Sequence, residues 1–303
     1  MDEHLAIFQA QSSPYPVAYC NNDEDLIELW LFEKPLSTQD AYRRDIGQFK
    51  QWSKKTIAEV RLNDLIGYYR YLQVRHLEPG RERKPLETSS IHRKINTLRS
   101  LLAYAVKIQY IRQDPSEALE LPDVKNKLAS RILPESAMHR LIEAANPGRD
   151  RLLLRFLYKS GCRVSEVVSL TWGDVQDRGD FGQVAIFGKG GKTRHLCIYP
   201  PFWNDLLAYR GDACKSAPIF RSRSGQALCR QDVNRIIRDV AKRAGIEGNV
   251  SPHWFRHAHA SHSLDRGAPL TLVQSTLGHS SIKTTENYLH VRPNDSSSRF
   301  IGD

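Results

Sequence analysis

One stripe constrains the fold of this chain more than any other feature. Ile91, Ile95, Leu98, Leu102, Ala105 and Ile108 recur at three- and four-residue steps, the spacing that lines up side chains on one face of an α-helix. Ser89 or Ser90 opens that helix. Three shorter patterns precede it. Asp23 caps a helix carrying Leu26, Ile27, Trp30 and Leu31. Ser37 caps one carrying Tyr42, Ile46 and Phe49, and Asn63 caps one carrying Leu65, Tyr69 and Leu72. Several amphipathic helices of this length predict a small all-α domain over residues 23–119. Residues 1–22 lack periodicity and contain Pro14 and Pro16, so they read as an extended arm. Residues 78–84, with Pro79 and Gly80, read as a polar loop.

Pro115, Pro122 and Pro134 punctuate a charged stretch, which makes residues 120–134 a linker. A second domain is expected over residues 135–290. Residues 136–145 are helical, and 151–158 form an apolar helix that should be buried. Gly161 permits a turn that places Arg163 at the start of the next helix. Residues 183–187 and 195–199 are short strands joined by a hairpin rich in Gly188, Gly190 and Gly191. Helices follow over 232–244, 253–264 and 270–277, and a last helix carries Tyr288. The expected class is mainly α: an all-α N-terminal domain and a mixed α+β domain with a small antiparallel sheet.

The second domain holds an ordered set of chemical groups: Arg163, Lys189, His253, Arg256, His279 and Tyr288. These are the parts needed to break a phosphodiester by nucleophilic attack. Arginines hold phosphate oxygens in forked geometry and offset the charge that develops in the transition state. A tyrosine can form a covalent intermediate, and histidine and lysine can move protons. Glu166 lies one turn from Arg163 and can orient it or a histidine. His253 can bond a phosphate oxygen or accept the tyrosine proton, while His257, His259 and His262 read as structural or near DNA. Lys189, Lys192 and Arg194 share the hairpin, and any of them could serve a leaving oxygen. His253 and His257 lack a third ligand, so no metal is expected.

Gly161-Cys162-Arg163-Val164-Ser165-Glu166, Gly188-Lys189-Gly190-Gly191-Lys192, His253-Trp254-Phe255-Arg256-His257 and Leu277-Gly278-His279, with Tyr288 nine residues on, resemble the boxes of the tyrosine recombinase (phage integrase) family. Cys162, Trp254-Phe255 and His259 depart from the usual pattern at packing positions. The resemblance implies a SAM-like helical bundle as a DNA core-binding domain, and a catalytic domain that clamps the duplex from the other side. It implies that Tyr288 is the nucleophile and Lys189 the hairpin lysine that protonates the leaving 5′-oxygen. The product would be a 3′-phosphotyrosine, later reversed by a partner strand's 5′-hydroxyl, with no ATP, metal or other cofactor. It further implies a homotetramer on two double-stranded DNA sites, with the C-terminal segment docked onto a neighbour. Phe300 and Ile301, an apolar pair in the polar tail 291–303, either anchor that docking or belong to a disordered terminus. A type IB topoisomerase and a catalytically idle DNA-binding regulator are the rival readings.

The charge balance agrees with a polyanionic partner: 44 Lys and Arg against 34 Asp and Glu, a net +10. Arg81, Arg83, Lys84, His92, Arg93 and Lys94 in the first domain, with Lys192 and Arg194 in the second, are candidate DNA contacts; a solvated charged face is the plain alternative. Five cysteines without a Cys-x-x-Cys pair argue against a disulfide framework and for a reducing cytoplasm. The acidic start, Met1-Asp2-Glu3-His4, is unlike a signal peptide, and no apolar run reaches membrane-spanning length.

Overall fold

A computed structural model describes residues 20–74, 85–123, 128–188, 191–279 and 281–289. Arg81, Arg83, Lys84, Lys189 and the tail 291–303 lie outside the described residues, as does most of the expected N-terminal arm. The chain divides into two compact units, Met1–Lys125 and Asn126–Asp303.

The first unit is built on α1 (Asp23–Phe32), α2 (Leu36–Ser53), α3 (Leu62–Val74) and α4 (Thr88–Lys107). The stripe on α4 buries Ile91, Ile95, Leu98, Leu101, Leu102 and Ala105, and α4 packs against each of the other three helices. Leu26, Trp30 and Leu31 of α1, Ile46 and Phe49 of α2, and Leu65, Tyr68 and Leu72 of α3 complete this core. Each large apolar side chain removed from water contributes about 1.5–3 kcal/mol.

The helix starts differ from those read off the sequence. Asn22 caps α1, its Oδ1 accepting the Asp25 N–H at 2.9 Å. Asp23 is instead buried, where it accepts the Ile57 N–H at 3.0 Å and the Tyr110 hydroxyl at 3.0 Å and pairs with Lys50 at 3.1 Å. The carboxylate thus ties the start of α1 to α2 and to the segments holding Ile57 and Tyr110. Pro35 precedes α2, Asn63 lies inside the first turn of α3, and Glu87 rather than Ser89 or Ser90 stands at the N-cap of α4.

The second unit contains α5 (Glu135–Glu143), α6 (Arg149–Ser160), α7 (Val164–Ser169), β1 (Val175–Asp177), β2 (Gly182–Phe187), β3 (Thr193–Ile198), α8 (Phe202–Arg210), α9 (Arg230–Arg243), α10 (Pro252–Asp265), α11 (Leu270–Leu277) and α12 (Ile282–Glu286). The sheet is antiparallel in the order β1-β2-β3, with Val184 opposite both Val175 and Leu196. β1 and α8 carry no clear sequence pattern: β1 is three residues long, and α8 shows almost no apolar asymmetry. Buried Leu153, Leu154, Phe156 and Leu157 of α6 pack with Phe255 and Ala258 of α10, Trp172, Phe202 and Phe220. No helix among the described residues is long and apolar enough to cross a membrane.

Gly161 ends α6 with φ +60°, in the left-handed region, and passes the chain directly into the Arg163 segment. A Cβ there would lie 2.7 Å from His259 Cδ2 and 2.7 Å from Leu277 Cδ2. Gly161→Ala therefore combines backbone strain with overpacking of a full core. The expected loss is about 1–3 kcal/mol from overpacking alone, read as a fall in melting temperature; an unchanged value contradicts this reading of the turn.

Candidate active site

Arg163 stands at the N-cap of α7 in extended backbone. Glu166, one turn on, is 6% exposed and accepts the Arg163 N–H at 2.8 Å and the Arg163 guanidinium at 3.0 Å. The same carboxylate takes two donors from Arg194, at 3.1 and 2.8 Å. Arg194 also donates to the Thr276 carbonyl at 2.8 Å. Arg194 was expected on the DNA-facing hairpin; it lies instead on β3 with its guanidinium turned inward and its donors committed to α7 and the end of α11.

Burial alone would raise the Glu166 pKa, but the Arg194 hydrogen bonds, then the Arg163 N–H, hold it below the usual carboxylate range. A carboxylate depressed in the folded state contributes stability that is full above the ordinary carboxylate pKa and disappears as pH falls through the lowered value. Glu166→Gln should destabilise the protein by roughly 1–3 kcal/mol near neutral pH, the worth of hydrogen bonds to charged groups. The gap from wild type should close in acid, which melting temperatures recorded across pH will test; a gap constant with pH contradicts it.

Arg256, on α10, is 5% exposed. It donates to the Gly161 carbonyl at 2.8 Å and to the Leu277 carbonyl at 2.8 Å. Two carbonyls from two helix ends thus fix the guanidinium, and its remaining N–H donors are left for a ligand. Burial, then the nearby Arg163 cation, pushes its pKa down to about 10, so it stays protonated at neutral pH.

Among the described residues, His253, His257, His259 and His279 lie within the field of Arg256. His279 follows Gly278, which closes α11 at φ +66°, and its Nδ1 shares a 2.8 Å hydrogen bond with Thr285 Oγ1, itself fully buried. Burial, then Arg256 and Arg163, pushes His279 down to about 4. His253 keeps an exposed face; desolvation of the rest of its ring, then Arg256, Arg163 and Arg131, lowers it. His257 lies one turn beyond, its ring 6.4 Å from that of His253. His259 Nδ1 donates to the Tyr158 carbonyl at 2.8 Å.

Tyr288 is 4% exposed and packs with Ala260, Leu264, Val273 and Leu277. It stands two residues past the end of α12 rather than inside a helix, its N–H reaching Thr285 O at 3.1 Å. Its hydroxyl meets His257 Nδ1 at 2.7 Å. Burial raises the phenol pKa and Arg256 draws it back. Sequence reading named His253 for this neighbourhood and left His257 aside. The signal was present: a second imidazole at i+4 shares the face of the first.

In the first unit, Arg93 and Lys94 both reach the buried Asp45: Arg93 by a forked pair, and Lys94 at 2.7 Å, with a further bond to Gln48 at 2.9 Å. Lys94 is thereby a structural cation, while half of the Arg93 side chain stays exposed. His92 is half-buried beside Tyr69, the ring centroids 6.1 Å apart. Lys192, at the hairpin, is exposed.

Comparison with known proteins identifies the family of this chain. Residues 131–295 match the phage integrase family and residues 33–125 the phage integrase SAM-like domain. The chain is 34% identical over 260 residues to tyrosine recombinase XerC of Xanthomonas campestris pv. campestris, covering 84% of this chain and 78% of that protein. It is 35% identical over 283 residues to tyrosine recombinase XerD of Pseudomonas aeruginosa, covering 89% and 92%. The fold is shared with XerH site-specific recombinase in a post-cleavage complex with a palindromic difH substrate, at a TM-score of 0.68 and 19% identity over 93% of this chain and 84% of that one. A lambda integrase dimer bound to a COC′ core site gives a TM-score of 0.69 at 16% identity over 90% and 96%. The chain belongs to the phage integrase family: it is a tyrosine recombinase, an enzyme that cleaves and rejoins DNA strands.

Proposed function

We propose that this enzyme recombines double-stranded DNA at specific sites, with Tyr288 as nucleophile and Arg163, Arg256, His279, His253 and Lys189 as the groups that serve the scissile phosphate. The observation that carries the reading is the buried Tyr288, whose hydroxyl meets His257 Nδ1 at 2.7 Å within the field of the fixed Arg256, while Arg163 acts electrostatically on Arg256 and, with it, on His279. Phosphoryl transfer needs positioning and charge stabilisation above all. Arg256, locked by two carbonyls, and Arg163, held by Glu166, supply two cations for the non-bridging oxygens. Nδ1 of His279 is taken by Thr285, so Nε2 is the atom left for a phosphate oxygen. Tyr288 attacks, a 3′-phosphotyrosine forms and the 5′-oxygen leaves; a partner strand's 5′-hydroxyl then reverses the step. The phosphotyrosine conserves the bond, so no nucleotide or other cofactor is needed.

Residues 23–119 act as the DNA core-binding domain and 135–290 as the catalytic domain, joined by the linker 120–134. Exposed Arg230, Arg238 and Lys242 on α9, with Lys192, Arg81, Arg83, Lys84 and the free half of Arg93, provide cations for the phosphate backbone. The working assembly is a homotetramer on two sites, with the tail 291–303 docked on a neighbour. XerH bound to difH and lambda integrase on its core site support a DNA-bound assembly.

The experiment is to trap the protein on host DNA, sequence the attached fragments and place two copies of the recovered site on a plasmid. Recombination between the copies, with none on a plasmid lacking them, is expected. Relaxation of supercoiled DNA without sites marks a topoisomerase instead, and binding without covalent attachment marks a regulator.

Lys189→Ala should slow cleavage roughly 10²–10⁴-fold, the usual range for a lost general acid. A substrate with sulfur at the bridging 5′ position has a better leaving group and should recover the rate. Lys192→Ala should show only weaker binding. Rescue of Lys192→Ala in place of Lys189→Ala reverses the assignment.

A further inference from the structure

We infer that His257 is the group that accepts the Tyr288 hydroxyl proton as the phenol attacks the phosphate. This rests on Tyr288 being the nucleophile and adds a role to a residue outside the ordered set. The geometry selects it among four neighbouring imidazoles. Among the described residues only His257 is hydrogen-bonded to the reacting oxygen, Nδ1 to Oη at 2.7 Å, with the two rings 5.8 Å apart. His279 has its Nδ1 engaged by Thr285. His259 must carry its proton on Nδ1 because its partner there is a carbonyl, which only accepts. His253 sits at the exposed rim, 6.4 Å from the His257 ring centre.

The resting charge state suits the role. Burial, then His253, Arg131 and Arg256, pushes His257 down to about 4, and burial keeps the Tyr288 phenol above its ordinary value. At neutral pH the pair is therefore an un-ionised phenol against a neutral imidazole. With the imidazole proton on Nε2, Nδ1 accepts the phenol hydrogen. Burial is the larger cause; an anionic phosphate held by Arg256 offsets the Arg256 share of the cationic repulsion that adds to it at His257. Its proton affinity thus rises when Tyr288 must let its proton go.

The step balances. The Tyr288 O–H bond breaks and its proton moves to Nδ1, making an imidazolium. The Oη–P bond forms, the P–O5′ bond breaks, and the 5′-oxygen takes a proton from the general acid. Rejoining runs the same transfers backward, the imidazolium returning its proton to Tyr288.

The test uses the full chain with His257→Ala and His257→Gln, on a nicked duplex carrying the recovered site so that cleaved complexes accumulate. Glutamine can accept the Tyr288 hydrogen bond but cannot hold the proton. Both variants should bind DNA as wild type does and form covalent complex roughly 10²–10⁴-fold more slowly. A bridging 5′-sulfur should restore neither, because the defect lies on the nucleophile. A fluorinated tyrosine at position 288, more acidic than tyrosine, should narrow the defect of His257→Ala.

A wild-type rate for His257→Gln overturns the inference and reduces His257 to positioning Tyr288. Rescue by the 5′-sulfur overturns it by moving His257 to the leaving group. A wild-type protein that forms no covalent complex removes the proposed function together with this inference; a wild-type protein that does, with His257 variants equally fast, removes the inference alone.

Discussion

Arg256→Ala should lower DNA cleavage roughly 10³–10⁵-fold, the span associated with an arginine that stabilises a phosphoryl-transfer transition state. Few side chains here do as much at once. The guanidinium is 5% exposed and bonds the Gly161 and Leu277 carbonyls. Those carbonyls end α6 and α11, the helices that lead into Arg163 and His279. Truncation therefore removes a cation from the phosphate and loosens the two segments that present other groups to it. Each carbonyl left buried without a donor costs about 1–3 kcal/mol, so the melting temperature should fall as well. Arg256→Lys keeps the charge but cannot reproduce two forked bonds; it should fold better than Arg256→Ala and still cleave poorly. Cleavage rates, melting curves and DNA affinity measured together separate the contributions. Cleavage by Arg256→Ala within about tenfold of wild type, far below the range for such an arginine, contradicts its placement at the phosphate.

Tyr288→Phe should abolish covalent attachment and recombination outright. The substitution removes one oxygen and leaves the ring among Ala260, Leu264, Val273 and Leu277. The structural cost is the hydrogen bond to His257, about 1–3 kcal/mol if Nδ1 then lacks a partner. DNA binding should persist, because the cationic groups remain in place. A folded, DNA-binding variant with no detectable cleavage is the expected outcome; residual covalent complex removes Tyr288 from the reaction.

Much of this could be read from the sequence, for identifiable reasons. The α4 stripe declares itself because one face of a long helix is apolar throughout. The hairpin between β2 and β3 is announced by its glycines. Arg163, Arg256 and Tyr288 stand out because they fall, in order, in boxes that resemble those of the tyrosine recombinase family. Helix starts were less legible. Asp23 has the chemistry of a cap, yet Ile57, Tyr110 and Lys50 draw it into the core, and only the tertiary fold brings those three together. The pairing of Arg194 with Glu166 joins groups 28 residues apart, and which way a β3 side chain points depends on how the hairpin sits. Nothing in the local pattern stops α12 before Tyr288, although the helix ends at Glu286. The choice between His253 and His257 also lies beyond periodicity, since both occupy one face of α10. The position of the Tyr288 hydroxyl, set by the turn after α12, brings it to His257.

The most direct measurement is to identify the residue and the DNA end joined when cleavage is arrested. The protein is trapped on a nicked duplex carrying its site, digested with protease, and the peptide bearing nucleotide is sequenced by mass spectrometry. The proposed function predicts one linkage, from the Oη of Tyr288 to a 3′-phosphate, with a free 5′-hydroxyl on the other side of the break. A linkage to any of the other tyrosines among the 12 in the chain, a linkage to a 5′-phosphate, or strand breakage without a covalent intermediate would contradict it.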